Sequence, residues 1–546
     1  MSDYLQFPEF SVTGADEVIT VQNGSVDFVV EGGAGARHET LTSVASGVGT
    51  PFTTVGDGPA RQVRRIWLDT FDWRLYRAGL ALEQRAGRGG TELILTGRDG
   101  EPLASLPVPG PNGKAGGLAW PSLPAALPAG PLRELLEPVA GIRALAPVAR
   151  AASRIREHRV LNSDTKTVAR LVVDEMSVSY PARGHAALRL SVLPVRGYQA
   201  QSDRLSSALA ANAGISLTGR SPLDLALAAA GQHPGRRTAA VELTAAMPAA
   251  AAVAAILTAQ LETIEINVPG AIKDVDTEFL HDLRIAIRRT RSALKLAGRV
   301  LPGGLAGQYR PEFKWLGDLT TPTRDLDVYL LGFGEMTAGL VAADAADLRP
   351  FLQYLTRTRA AAHRDLARGL RSARFARLTR QWRADLAAVR PPRNRPTAAQ
   401  LAGQRLARAQ ARALRAGQQI TGASPAASLH ELRKDCKELR YMIELFGSLH
   451  DPELRWQAVR ELKALQDCLG EFQDAEVQRD EIHAFAERML ADRTAPAATL
   501  LAMGEIAAGL ARRQQHARAE FDSKFAAFAS RPSQARLAAL TEPGGT

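Results

Sequence analysis

Two segments of the chain carry basic side chains at a spacing suited to holding an anion. In HDLRIAIRRTRSALKL, residues 281–296, His281, Arg284, Arg288, Arg291 and Lys295 follow one another at intervals of three, four, three and four. At about 100° per residue these positions fall within an arc of roughly 80°, so on a helix they form one stripe. Neighbours on that stripe stand about 5–6 Å apart. Each like-charge pair then repels by roughly 0.7 kcal/mol in water, and by more in a less polar setting. Either acidic residues of a packed neighbour or an anionic ligand must compensate.

A second segment, HELRKDCKELRYMIEL at 430–445, begins 149 positions after the first. On that offset His430, Arg433, Lys437 and Arg440 repeat His281, Arg284, Arg288 and Arg291. An apolar line repeats with them, Leu283, Ile287, Thr290 and Leu294 becoming Leu432, Cys436, Leu439 and Ile443. Downstream, WLGDLTTPTRDLDVYL at 315–330 answers to CLGEFQDAEVQ at 468–478. Leu316-Gly317 pairs with Leu469-Gly470, and after a four-residue surplus in the first copy, Asp325, Asp327 and Val328 pair with Asp474, Glu476 and Val477. Order and spacing preserved through both blocks mark an internal duplication. Two similar helical units are expected to pack about a pseudo-twofold axis with both cationic stripes in one groove.

The recurrence of basic character at all three Arg/Lys pairs, while the surroundings diverge, favours a shared anion-binding surface. The competing reading has Asp325, Asp327, Asp474 and Glu476 neutralise the stripes, and the same carboxylates would equally cap or brace the following helices. His281 and His430 open the cationic line away from the apolar positions, where an imidazole can donate a hydrogen bond to phosphate, more strongly when protonated. Neither helix has a second His or Cys at ligand spacing, so no metal site is expected on them.

The elements that must position these residues differ between the two parts of the chain. Its 546 residues suggest two to four domains. Up to about residue 235, Gly and Pro interrupt short β-rich runs, RQVRRIWLDT, TELILTG, KTVARLVVDEMSVSY and HAALRLSVLPV, which predict an antiparallel β domain with helical interruptions such as PLRELLEPVAGIRALA. GQHPGRRT at 231–238 reads as a linker. Beyond it a helical period dominates, with breaks at LPGG (301–304), RPPRNRP (390–396) and TGASP (421–425). The expected fold is multidomain α+β: a β domain over 1–235, then an all-α domain over 240–535 with repeat halves at about 240–390 and 398–530.

Of 68 basic and 57 acidic residues in all, residues 1–235 hold 23 and 22, leaving 45 and 35 for the rest. The excess positive charge therefore sits in the helical part, which favours nucleic acid, a phosphate polymer or an acidic lipid surface as partner. Two cysteines, Cys436 and Cys468, exclude a disulfide framework and fit a reducing compartment. The opening MSDYLQFPEF has neither a basic region nor an apolar run, so no secretory signal is expected. TAAMPAAAAVAAILTAQL at 244–261 is mostly Ala, contains Pro248 and lies between Glu242 and Glu262, which predicts a buried helix and no membrane span.

The pattern HDLR-x3-RR-x-R with LGDL…RDLDV, and its echo HELRK-x2-K-x2-RY with LQDCLGEFQD, resembles the CHAD domain, the conserved-histidine α-helical domain, over roughly 240–530. The resemblance implies an all-α fold of two four-helix-bundle-like halves, with a basic central surface that binds inorganic polyphosphate. It carries contact roles to His281, Arg284, Arg288, Arg291, His430, Arg433, Lys434, Lys437 and Arg440, with Arg289, Lys295, Lys314, Arg357 and Lys463 as further candidates. In the second copy Glu444 takes the place of Lys295, so the stripes differ in length.

IWLDTFDWRLYRAGLALEQR at 66–85 is similar to a segment of the CYTH domain, an antiparallel β tunnel that handles triphosphates with a divalent metal. Asp69, Thr70, Asp72, Gly79 and Arg85 are retained, but Glu83 stands where an Arg is usual. The opening ExExK signature is reduced to Glu9, and LRLSVLPV at 188–195 replaces the late acidic strand without a carboxylate. Metal-dependent phosphoryl chemistry needs closely set oxygen ligands, so a degenerate, inactive tunnel is expected, with no cofactor.

Polyphosphate carries about one charge per unit, which Lys and Arg neutralise through charge-assisted hydrogen bonds with release of counterions. Single-stranded nucleic acid sites interleave aromatics with basic residues, and only Tyr441 offers one on either motif helix. The expectation is a non-enzymatic, cytoplasmic polyphosphate-binding protein associated with polyphosphate granules. The alternatives are a metal-dependent triphosphate hydrolase in the N-terminal domain and a nucleic-acid-binding protein.

Overall fold

The computed structural model describes residues 26–30, 52–56, 58–88, 90–98, 100–108, 118–211, 214–234, 241–298, 300–390 and 396–542. Glu9, the end of the expected linker at 235–238 and most of RPPRNRP lie outside them. The chain divides into two compact units, Met1–Arg237 and Thr238–Thr546.

The first unit is one antiparallel sheet. Its strands are β1 (Val26–Val30), β2 (Thr53–Gly56), β3 (Arg61–Thr70), β4 (Ala81–Gly87), β5 (Gly90–Thr96), β6 (Pro102–Pro107), β7 (Leu145–Leu161), β8 (Thr167–Tyr180), β9 (Gly184–His185), β10 (Leu188–Pro194) and β11 (Ile215–Leu217). They run in the order β11-β1-β10-β8-β7-β3-β4-β5-β6, with β2 beside β7 and β9 beside β8. Side chains alternate between faces along a strand, and the alternation sorts charge from core in β3, where Arg64 is exposed while Arg65 and Trp67 are buried. Helix α1 (Arg74–Arg77) follows β3, and three further helices cover apolar surface: α2 (Pro131–Ala140), α3 (Gln199–Ala210) and α4 (Pro222–Ala229). Leu136 of α2 packs with Leu68, Leu82 and Leu93; Leu205 and Leu209 of α3 with Phe28 and Leu190; Leu223 and Leu227 of α4 with Trp67 and Met176. The helix expected over PLRELLEPVAGIRALA stops at Ala140 because Gly141 turns the chain at φ +59°, and Leu145 already belongs to the 17-residue strand β7.

The second unit is all helix. Its first half holds α5 (Ala249–Lys273), α6 (Thr277–Ala297), α7 (Leu305–Leu331), α8 (Phe333–Ala338), α9 (Arg349–Leu370) and α10 (Ala373–Ala387). The second half holds α11 (Ala398–Gln418), α12 (Ala426–Leu445), α13 (Pro452–Ala491), α14 (Ala497–Ala529) and α15 (Arg531–Ala539). Helix starts follow the sequence: Asp276 caps α6 through the amides of Glu278 and Phe279, Thr397 and Gln400 form a capping box on α11, and Asp451 caps α13. The predicted apolar lines of α6 and α12 are buried throughout. Among the described residues α5 is the one helix long and apolar enough to cross a membrane; Ala252, Ile256, Leu257 and Leu261 are buried in it.

The duplication is visible in reciprocal contacts. The amide of Ala249 donates to the Pro396 carbonyl at 3.0 Å, and that of Ala398 to the Met247 carbonyl at 2.7 Å. Ala249 and Ala398 stand one repeat offset apart, as do Met247 and Pro396, so each bond is the other's image across a twofold axis. The Tyr329 hydroxyl reaches the carbonyl of Gln478, its own repeat mate, at 3.5 Å. The halves also share a core: Leu326, Phe351 and Leu355 pack with Ile482, Phe485, Met489 and Met503. The 40-residue α13 is long enough for this, spanning about 60 Å.

Both cysteines are buried and unpaired. Burial, helped by Asp435, pushes the Cys436 thiol up to about 12, and burial pushes Cys468 up to about 11. Alkylation needs the thiolate, so the native protein at pH 8 is expected to take up no iodoacetamide while the urea-unfolded chain takes up two equivalents. Mass spectrometry of both forms reads this directly.

Candidate anion-binding site

Helices α6 and α12 meet across the twofold axis. Arg289 Nη2 donates to Glu444 Oε2 at 2.9 Å, and Lys295 Nζ to Glu438 Oε2 at 2.7 Å. Partner numbers fall as residue numbers rise, so the helices cross antiparallel. On the repeat offset Glu438 stands in the place of Arg289 and Glu444 in the place of Lys295. The two ion pairs are therefore images of one another, made possible by cations in the first copy and carboxylates in the second. Glu444 also accepts from Arg440 Nε at 2.6 Å, and Glu438 from Arg412 Nη2 at 2.6 Å.

These bridges clamp a more positive centre. Arg288 lies with its guanidinium carbon 5.5 Å from the Tyr441 ring centroid. The same guanidinium faces Lys437, its repeat mate: burial, then Arg433 and Arg288, push the Lys437 ammonium down to about 8. Burial also lowers the pKa of Arg284, against Asp325 and with Arg288, Arg324 and Arg291. The cationic rows of the two copies thus converge. Among the described residues, no carboxylate lies within ion-pair distance of Arg284, Arg288, Arg291 or Lys437.

The four-residue surplus Thr320–Thr323 explains why the two copies differ. In the second copy His430 Nδ1 lies 2.5 Å from Gln473 Oε1, and Arg433 Nη2 donates to Asp474 Oδ1 at 3.1 Å. In the first copy the surplus moves the matching Arg324 and Asp325 about one turn along α7. Arg284 Nη1 bonds instead to the hydroxyls of Thr320 at 3.1 Å and Thr321 at 2.8 Å. Hydroxyl oxygens satisfy its hydrogen bonds without cancelling its charge, so the first half keeps the greater positive field.

The carboxylates weighed in the sequence divide. Asp474 does pair with Arg433, from an exposed position. Asp327 is buried and braces α9 through Arg359 at 2.8 Å, with Arg359 also bound to Asp274. Asp325, Asp327, Asp474 and Glu476 all lie inside the continuous helices α7 and α13, so none is a helix cap. Outside the centre, Lys314 pairs with Asp318, Lys434 with Glu431 and Lys463 with Asp467, each on its own helix. Arg357 lies over Tyr354 on α9, with its guanidinium carbon 5.7 Å from the ring centroid. His281 is half-buried on α6 beside Arg284.

Sequence reasoning missed four contributors. Gln466 accepts from Arg440 at 3.4 Å and donates to the Cys436 carbonyl at 2.7 Å. Arg324 adds a cation near Arg284 and keeps a buried Nη1 without a partner. Gly317 and Gly470 form the floor: a methyl group at Gly317 would stand 3.1 Å from Arg291 Nη1, and one at Gly470 2.3 Å from Arg433 Nη1. The repeated Leu-Gly pair was the signal, since a glycine kept in both copies of a helix leaves room for something to lie over it.

In the first unit the carboxylates that resemble metal ligands are engaged. Asp69 accepts from the amides of Thr70, Leu75 and Tyr76, at 2.6, 2.9 and 2.9 Å. Asp72 pairs with Arg74. Burial would raise the Glu83 carboxyl, but Arg65 and Arg85 hold it at about 2, and Arg65 also takes Asp174. Among the described residues no three His, Cys, Asp or Glu side chains gather as a metal site. The donor set does not fit a divalent ion.

The family model of the CHAD domain matches residues 255–483. Those residues form a CHAD domain. The chain is similar to the crystal structure of the CHAD domain from the plant Ricinus communis, at 27% identity over 53% of this chain and 95% of that one, with a TM-score of 0.45. It is similar to PptA from Streptomyces chartreusis at 21% identity over 51% and 99%, TM-score 0.39. It is also similar to a proposed adenylate cyclase from Bacillus halodurans at 13% identity over 34% and 89%, TM-score 0.22. No curated protein matches the sequence significantly. Within the CHAD domain the first motif helix, α6, and the second, α12, both lie in the matched span, as do the glycine floor and the surplus.

Alanine favours a helix interior over glycine by about 1 kcal/mol, yet at Gly470 its methyl must displace Arg433. Gly470→Ala is expected to keep helix content by circular dichroism while lowering affinity for a polyanion several-fold. Gly422→Ala, which meets open space, should leave affinity unchanged.

Proposed function

We propose that this protein binds inorganic polyphosphate in the groove between α6 and α12, as a non-enzymatic binding protein associated with polyphosphate granules. One observation carries the reading: Arg284, Arg288, Arg291 and Lys437 converge from both repeat copies without a carboxylate partner. A phosphate chain presents closely spaced oxygens along a flexible backbone and needs no base-reading groups, so charge-assisted hydrogen bonds to a row of cations suffice. Of the two aromatics on the motif helices, Phe279 is buried and Tyr441 is covered by Arg288, which disfavours base stacking and with it nucleic acid.

Arg284→Ala/Arg288→Ala/Arg433→Ala/Lys437→Ala is expected to abolish tight, salt-sensitive binding of long-chain polyphosphate in filter or calorimetric assays. Binding unchanged by those substitutions would remove the site assignment. RNA at equal charge concentration should fail to compete.

Lys437 supplies a pH signature. Burial first, and then the neighbouring Arg433 and Arg288, push its pKa down to about 8, and a bound phosphate chain supplies the opposite charge that restores the ammonium. Binding near pH 8.5 should therefore take up roughly half a proton or more. Calorimetry in buffers of different ionisation enthalpy measures it, and uptake should fade below pH 7, where Lys437 is already charged.

The first unit is assigned no hydrolytic role, because Asp69, Asp72, Glu83 and Asp174 are held by arginines and amides. Incubation of the full chain with tripolyphosphate and Mg²⁺ or Mn²⁺ should release no phosphate above background.

A further inference from the structure

The CHAD groove is not the only basic concavity in the protein. A cleft of about 500 Å³ opens on the sheet of the first unit, lined by Arg64 to Ile66 of β3, Arg150 to Ala152 of β7, Ser177 to Ser179 of β8, and Arg183 to His185 at β9. We infer that this cleft is a second phosphate-binding site, one that takes a short stretch of polyphosphate on the exposed face of the N-terminal sheet.

The strand register builds the site. Arg64 stands opposite Ala152, and Ala152 opposite Ser177, so a methyl group separates a guanidinium from a hydroxyl across three strands. Arg150 lies two residues along β7 on the same face, at the diagonal distance of about 7–8 Å from Arg64. Ser177 faces His185, with Oγ 3.2 Å from Nδ1, leaving Nε2 as the ring's other hydrogen-bonding atom. The rim holding Arg183 and His185 is fixed by packing: a methyl group at Gly184 would stand 2.3 Å from the Ala229 carbonyl oxygen of α4.

The chemistry fits a phosphate chain. Arg64, Arg150, Arg183 and His185 are exposed, and no carboxylate lines the cleft. Nearby Glu175 and Glu157 are engaged by Arg156, Arg61 and Arg170. Among the described residues Arg64, Arg150 and Arg183 have no ion pair, although Arg150 lies with its guanidinium carbon 5.8 Å from the Tyr180 ring centroid. The Ser179 hydroxyl donates to the Arg150 carbonyl at 3.3 Å, which leaves three guanidinium forks, the Ser177 hydroxyl and an imidazole as groups matched to phosphate oxygens. Arg65, which also borders the cleft, is already held by Glu83 and Asp174, so binding draws on Arg64, Arg150 and Arg183, and Arg64 alternates along β3 to the other face from that buried cluster.

This inference shares its ligand with the function proposed above but stands on separate residues. The test compares Arg64→Ala/Arg150→Ala/Arg183→Ala in the full chain and in the background carrying the four CHAD substitutions, with tripolyphosphate and long-chain polyphosphate as probes. In that background the residual binding should fall by about tenfold on adding the triple, and the log–log salt slope should drop by about two units. Thermal unfolding should be unchanged, since all three arginines are exposed. If the triple changes nothing in either background while the CHAD substitutions abolish binding, the inference is overturned and the groove stands. If the triple abolishes binding and the CHAD substitutions do not, the inference stands and the groove falls. RNA displacing polyphosphate from the cleft at equal charge would overturn its assignment to phosphate chains.

Discussion

Arg288 and Lys437 are repeat mates brought face to face, and the architecture around them follows from the cost of that approach. Two like charges on one twofold axis cannot avoid each other by a local shift, because each is the other's image. The helices that carry them must be held together by something else. Paired backbone bonds between the starts of α5 and α11, the shared core around Phe351 and Phe485, and the crossed bridges Arg289–Glu444 and Lys295–Glu438 provide it. Burial and the approach of Arg433 and Arg288 together push the Lys437 ammonium down to about 8.

Divergence between the copies then decides where the charge remains. A strictly symmetric pair would set cation against cation at the flanks as well as the centre. The second copy instead carries Glu438 and Glu444, and the flanks become attractive. The first copy gained Thr320–Thr323, which give Arg284 hydroxyl partners in place of the carboxylate that Arg433 meets in Asp474. The first change lowers repulsion where the halves adhere, and the second preserves positive charge at Arg284.

Much of this was legible in the sequence for a physical reason: duplication prints every functional position twice. The offset that aligned His281 with His430 also aligned the buried lines of α6 and α12, and it predicted a twofold meeting of the cationic rows. What the sequence withheld were pairings between copies. Arg289 and Lys295 read as further ligand contacts, but their partners lie some 150 residues away, in helices whose crossing point no local pattern states. Lys314, Lys434 and Lys463 sit in i,i+3 or i,i+4 pairs that are readable on a helix but are overlooked when only basic positions are followed. In the first unit, the β-rich runs identified β3, β5, β8 and β10 of the eleven strands, while β7 was obscured by a helical start that Gly141 cuts short.

The central claim is that unmatched positive charge at the axis is a cost to the empty protein and the source of its affinity. Lys437→Met keeps the length of the side chain and removes the charge. Thermal unfolding at pH 7 and low salt, with and without long-chain polyphosphate, tests the claim most directly. Lys437→Met should be more stable than the natural protein when empty and less stabilised by polyphosphate. A variant less stable when empty, with the same stabilisation by polyphosphate, would contradict it.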